Sequence, residues 1–281
     1  MTSKVEGRAL TRRASGEEHR DAAQAEAALT LLFAAGKRPS ADNVEQALAM
    51  PDESQLSSEP PRQGHRGQIA ARISSQRGRA EGWLEILANG LTFDLDGLEP
   101  GPPQATPDAR HFFGLSRDAG NFEFEAIALF PGPHLAGAAA MVPVVRTMAA
   151  VAGALAVELG ALAVCWQPAG SWMDVQYFAR VVEGWSTGGA FPALGLTGIE
   201  RTQDGGVESD GLDFFIGQEL RVEARRGEAA ADTVKLAARV IDHLVNHGAI
   251  FGREALVGPT GEALLVEPSA DGRYVQVWRD G

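Results

Sequence analysis

Between Phe122 and Trp185 the hydrophobic pattern changes period three times, and that alternation constrains the fold more than any other feature of the chain. Phe122–Phe130 (FEFEAIALF) alternates aromatic and acidic residues and then turns continuously apolar, the pattern of a strand half exposed at its start and buried at its end. Pro131-Gly132-Pro133 stops it. From Val142 to Leu159 apolar residues fall at helical spacing on Val145, Met148, Ala152, Leu155 and Leu159, with Pro143 in the first turn, where its missing N–H is tolerated. Only Arg146 and Glu158 interrupt this surface, so the helix is expected to be covered on most sides. Gly160 closes it, and Ala161–Trp166 (ALAVCW) is an uncharged run suited to a central strand. Gln167–Gly170 reads as a turn. Ser171 with Asp174 then resembles a capping box ahead of a second helix carrying Val175, Phe178, Val182 and Trp185.

A strand–helix–strand unit of this length predicts a right-handed crossover between parallel strands. Both post-strand loops then leave the same sheet edge, where open sheets commonly bind ligands. The side chains expected to gather there are His134, Gln167, Ser171, Trp172 and Asp174, which form the candidate cleft.

The flanking segments extend the pattern. A strand is expected at 28–34, then a helix capped by Ser40 and running to Met50. An exposed loop should cover 51–67, followed by strands near 68–74, 83–88 and 91–95 and an irregular Pro/Gly-rich stretch at 97–107. Strands are expected at Ala193–Thr202 and Leu212–Glu223 around the turn Asp204-Gly205-Gly206, with Gly217 as a bulge. An amphipathic helix fits Glu228–His247, and three strands near 253–257, 262–267 and 273–278 finish the chain. The fold class is α+β, with mixed sheets packed by three to four helices. The element order suggests two ferredoxin-like-style halves sharing one core. The expected organisation is a disordered tail over 1–21, an N-terminal α+β part over 22–121 and a C-terminal α+β part over 122–281.

Composition narrows the function classes. The formal charge of −12 argues against general nucleic-acid binding, which depends on neutralising phosphates. A single cysteine, Cys165, excludes an internal disulfide and a cysteine-rich zinc site. The N-terminus lacks an apolar leader, and Arg146 and Glu158 stand too close together to leave the roughly 20 apolar residues of a spanning helix. The expectation is a soluble cytoplasmic protein without membrane association. Abundant Gly and Ala, with Arg outnumbering Lys, suggest a bacterial source.

Three segments carry a family resemblance. The run VAGALAVELGALAVCWQPAGSWMDVQYFARVVEGW resembles the bacterial domain of unknown function 4261 family, in which a helix, a Gly, a short strand ending in an aromatic and a second helix follow one another. HLVNHGAIFGREALVGPTGEALLVEPS is similar to its closing helix, turn and two strands, and LTLLFAAGKRPSADNVEQALA to its opening strand and helix. Residues 51–121 match nothing in that pattern. The resemblance implies an α+β fold and supplies no activity, cofactor or functional residue.

Chemical motifs are sparse. His243 and His247 sit at i and i+4, the spacing of two metal ligands on a helix, but Leu244 stands where a zincin carries its glutamate. A helix C-terminus before Gly248 explains both imidazoles at least as well. Cys165 with His134 has the residue types of a nucleophile and base, yet the cysteine lies in an apolar strand where thiols are inert. Ser171 lacks a G-x-S-x-G setting. Glu123/Glu125 and Asp94/Asp96 read as solvated strand faces. Nucleotide-cradling glycine loops are absent, and no cofactor follows from the sequence. The favoured reading is a non-catalytic module for a protein partner, with Trp172 as an aromatic anchor. The alternative is a hydrolase-like enzyme built around His134 and Ser171.

Overall fold

The computed structural model describes residues 27–49, 73–77, 81–225, 227–258 and 261–279. The tail expected over 1–21 and the loop expected over 51–67 lie outside them. Among the described residues the architecture is α+β, with two mixed sheets and four helices longer than two turns: α1 (Ala41–Ala49), α2 (Val142–Glu158), α3 (Val175–Ser186) and α4 (Ala230–His247).

The first sheet is built from β1 (Leu29–Ala34), β2 (Ile73–Gln76), β3 (Trp83–Ala88), β4 (Leu91–Asp96), β5 (His111–Phe113), β6 (Phe124–Pro131), β7 (Ala163–Trp166) and β8 (Ser171–Met173), in the order β2-β3-β4-β6-β1-β7-β8-β5. β1 lies between β6 and β7 and runs antiparallel to both, Leu29 facing Leu129 on one side and Trp166 on the other. β6 and β7 are therefore parallel, as the crossover requires, but β1 separates them. The boundary expected at 121/122 falls inside this sheet, because strands from both sides of it pair with one another.

The second sheet contains β9 (Gly198–Arg201), β10 (Val207–Asp210), β11 (Glu219–Val222), β12 (Glu254–Val257), β13 (Ala263–Pro268) and β14 (Tyr274–Arg279), ordered β12-β13-β14-β11-β10-β9. Here the expected strand over Leu212–Glu223 is two elements. Asp213–Ile216 forms a helical turn, and Gly217 ends it at φ 74° in the left-handed region instead of making a bulge. Likewise Ala193–Leu196 is a turn, and the strand begins only at Gly198.

Period-two alternation sends Leu29, Leu31, Phe33, Ile127, Leu129, Val164 and Trp166 to one face of the first sheet, under α2 and α3. That core continues into the second sheet through Val207, Leu220, Val222, Val275 and Val277, covered by Leu236, Val240, Ile241 and Leu244 of α4. Aromatic rings bridge the sheets: Trp166 meets Phe214 edge-on at 5.2 Å, and Phe215 meets Phe191, which in turn packs on Trp185 at 5.3 Å. The opposite face carries a smaller cluster of Leu32, Ala126, Ala163, Cys165 and Trp172, covered by residues such as Ala109, Phe112 and Leu115 rather than by a helix. Asp94, expected on a solvated face, is 5% exposed. No described helix is long and apolar enough to cross a membrane.

Candidate functional site

The five residues expected in one cleft are spread over the first sheet. His134 lies exposed in a 3₁₀ turn after β6, its Nε2 2.7 Å from Thr92 Oγ1. Gln167 is exposed in the turn after β7. That turn, closed by Gly170 N–H donating to Gln167 O at 2.9 Å, folds the chain back into β8 rather than forward into a helix. Ser171 is consequently a strand residue, fully buried, and its hydroxyl donates to the carbonyl of Gly195. Capping of α3 falls to Asp174 alone, whose Oδ1 accepts from Tyr177 N–H at 2.8 Å. Because β8 runs antiparallel to β7, Asp174 sits at the opposite end of the strand from Gln167. Trp172 points to the other face of the sheet, its indole N–H donating to Pro107 O at 3.2 Å.

β5 pairs with β8 so that His111 is the register partner of Ser171. The His111 ring is nearly buried, with Nε2 2.9 Å from Asp210 Oδ2, and Arg110 Nη1 reaches the same oxygen at 2.8 Å. Gly198 makes the approach feasible, since a Cβ there would fall 2.2 Å from His111 Nε2. Serine, histidine and aspartate thus assemble in sequence-distant positions, but Ser171 has no exposed surface and its proton is committed to Gly195. The group ties β5 to β10 across the two sheets.

Burial pushes the Cys165 thiol well above its ordinary range. The His243 and His247 rings stack at 4.0 Å, and His247 Nδ1 lies 2.8 Å from His243 O, which commits that nitrogen to its own helix. Burial, and then the neighbouring His247, lower the His243 pKa. Among the described residues no group of three or more His, Cys, Asp or Glu side chains could hold a metal ion.

One concavity lies on the less covered face of the first sheet. It encloses about 710 Å³ between β5, β6, β8 and the chain at 106–109 and 120–123. Its aromatic wall is Phe112, Phe122, Phe124 and Trp172, with Phe112 and Phe124 6.0 and 5.6 Å from Trp172. Phe122 is 67% exposed at the lip. Asp108, Glu123 and Glu125 also line the groove. Glu125 is held by Gly36 N–H at 3.1 Å and by Arg38 at 3.7 Å, whereas Asp108 and Glu123 are exposed and make no ion pair among the described residues. Aromatic faces beside unneutralised carboxylates suit a cation on an apolar stem.

Trp172 is the only member of this wall that the sequence singled out. The alternation FEFE was the available signal for Phe122 and Phe124, but it reads equally well as a solvated strand edge. Comparison with protein-family models, with curated proteins and with solved structures gave no match.

Proposed function

We propose that this protein is a non-catalytic binding module that docks a basic segment of a partner protein in the groove beside Trp172. The observation carrying this reading is Phe122, a large aromatic left 67% exposed at the mouth of a groove already walled by three other aromatic rings. Rigid aromatic side chains contribute contact area at little entropic cost and recur as binding anchors. An arginine or lysine lying over such a ring gains about 0.5–2 kcal/mol, depending on how far it is desolvated. Asp108 and Glu123 would complement that charge, and the net charge of −12 would steer a cationic partner towards the surface. The resemblance to the domain of unknown function 4261 family implies no activity, so the reading rests on the groove.

Fluorescence anisotropy with matched labelled peptides provides the test, one series carrying Arg and Lys between apolar residues and the other carrying Glu in their place. The basic series is expected to bind, to weaken as salt rises, and to lose roughly tenfold or more in affinity on Glu123→Lys or Phe122→Ala, at about 1.4 kcal/mol per tenfold. Equal binding of both series, or affinity untouched by both substitutions, would overturn the reading.

A further inference from the structure

A second cavity, of about 410 Å³, lies where α2, α3 and α4 meet, and its charge is opposite to that of the groove. Arg146, in the second turn of α2, lays its guanidinium over Trp185 of α3, 4.9 Å from the ring centroid. Its Nε is buried and finds no hydrogen-bond partner among the described residues. Arg239 of α4 lines the same cavity, with Asp242 and Asn246 one and two turns further along that helix. Neither arginine makes an ion pair among the described residues. Arg110, Arg221 and Arg279 each hold at least one carboxylate.

The one carboxylate lining the cavity is already engaged. Asp242 Oδ1 accepts from Phe191 N–H at 2.7 Å and lies 3.5 Å from Asn246 Nδ2. The remaining wall is Gly188, Gly189 and Ala190. Gly189 N–H bonds back to Gly184 O at 2.8 Å, and a Cβ on Gly189 would meet that oxygen at 2.6 Å, so the turn requires glycine and brings bare backbone to the cavity.

From these features we infer that the cavity binds a small soluble oxyanion, a phosphate monoester or a comparable dianion. A planar guanidinium offers paired N–H groups matched to the oxygens of phosphate, and stacking on Trp185 fixes Arg146 in advance. Arg239 supplies the second positive charge, while the Asn246 amide stays on its own helix, donating to Asp242 O at 2.7 Å. The inference does not depend on the groove, which lies on the first sheet's other face.

The test uses the full chain with inorganic phosphate and pyrophosphate as probes, measured by thermal shift and titration calorimetry against chloride at equal ionic strength. Both oxyanions are expected to raise the melting temperature above the chloride control. Their affinity should fall tenfold or more on Arg239→Ala, an exposed position whose loss leaves the core intact. Arg146→Lys keeps the charge but removes the fork, and should weaken binding similarly. Equal effects of chloride and phosphate, or unchanged phosphate affinity in Arg239→Ala, would overturn the site. Should Arg146→Lys misfold, the Arg239→Ala result decides alone.

Discussion

The two faces of the first sheet are made from the same strands yet are covered in different ways. On one face Leu29, Leu31, Phe33, Val164 and Trp166 meet α2 and α3, and the same buried cluster continues into the second sheet. On the other, Leu32, Ala126, Ala163, Cys165 and Trp172 are flanked by Phe112 of β5 and Phe124 of β6 and covered by irregular chain around Ala109 and Leu115, which leaves a groove beside the tryptophan. Helices fill space at regular ridge spacing, whereas a loop follows its own turn geometry and fills it unevenly. The first face stabilises the fold; the second offers a surface.

Substituting the tryptophan on each face tests that contrast, and gives the largest expected effects. Trp166→Ala removes a fully buried ring that packs against Phe214 and Phe215 and so joins the two sheets. It should cost about 3–5 kcal/mol in urea unfolding, the usual range for a buried aromatic truncated to alanine. Trp172→Ala leaves its cavity under a loop that can settle into it, and should fall below that, at about 2–3 kcal/mol. Equal costs would mean that the loop-covered face is as rigid as the helix-covered one.

That contrast also explains what was legible in the sequence. β7, under the helices, is an apolar run between Gly160 and Gly170, and β3, β4 and β12 to β14 also stand within a residue or two of where the pattern puts them. Of the α4 stripe expected on Val234, Ala237, Ala238, Ile241, Leu244 and Val245, the structure buries Ala237, Ile241, Leu244 and Val245, and adds Leu236 and Val240. On the loop-covered face the FEFE alternation at 122–125 is the one periodic signal, and the rest of the lining, at 106–109, 112 and 120, meets Trp172 only after folding. Short elements failed for a related reason. Ser171-Trp172-Met173 is too brief to show alternation, and Ser171 three residues before Asp174 imitates a capping box. Pairing with β7 and β5, which local sequence does not encode, makes it a strand. The same non-local pairing dispersed the expected cleft and brought His111 beside Ser171.

A smaller effect is expected from Cys165, which the groove face buries without charging. Its thiol is held protonated by burial, so its folded-state pKa lies above the unfolded one. Its contribution is fully present below the unfolded thiol pKa and is lost as pH rises from there through the folded pKa, since the unfolded chain gives up the proton first. The slope cannot exceed about 1.4 kcal/mol per pH unit for one proton. Cys165→Ala should flatten that alkaline loss, measured by urea unfolding between pH 8 and 10. A thiol reagent should modify the native protein only as fast as it opens. Rapid labelling of the native state would show that the irregular cover admits solvent to the sheet.

The smallest effect belongs to Phe122, and it separates the two roles most sharply. An aromatic that is 67% exposed has little surface left to lose, and its main contact is the edge of Phe124 at 6.4 Å. Phe122→Ala should therefore change unfolding free energy by no more than about 0.5 kcal/mol, as at other open surface positions. Against the several kcal/mol expected at Trp166, a near-zero value would leave Phe122 without a structural reason for its exposure, which is what a residue kept for docking would show. A loss of about 2 kcal/mol or more would instead make Phe122 part of the cover over Trp172. The groove would then be a packing defect of the loop-covered face, and the basic-peptide test would be expected to fail with it.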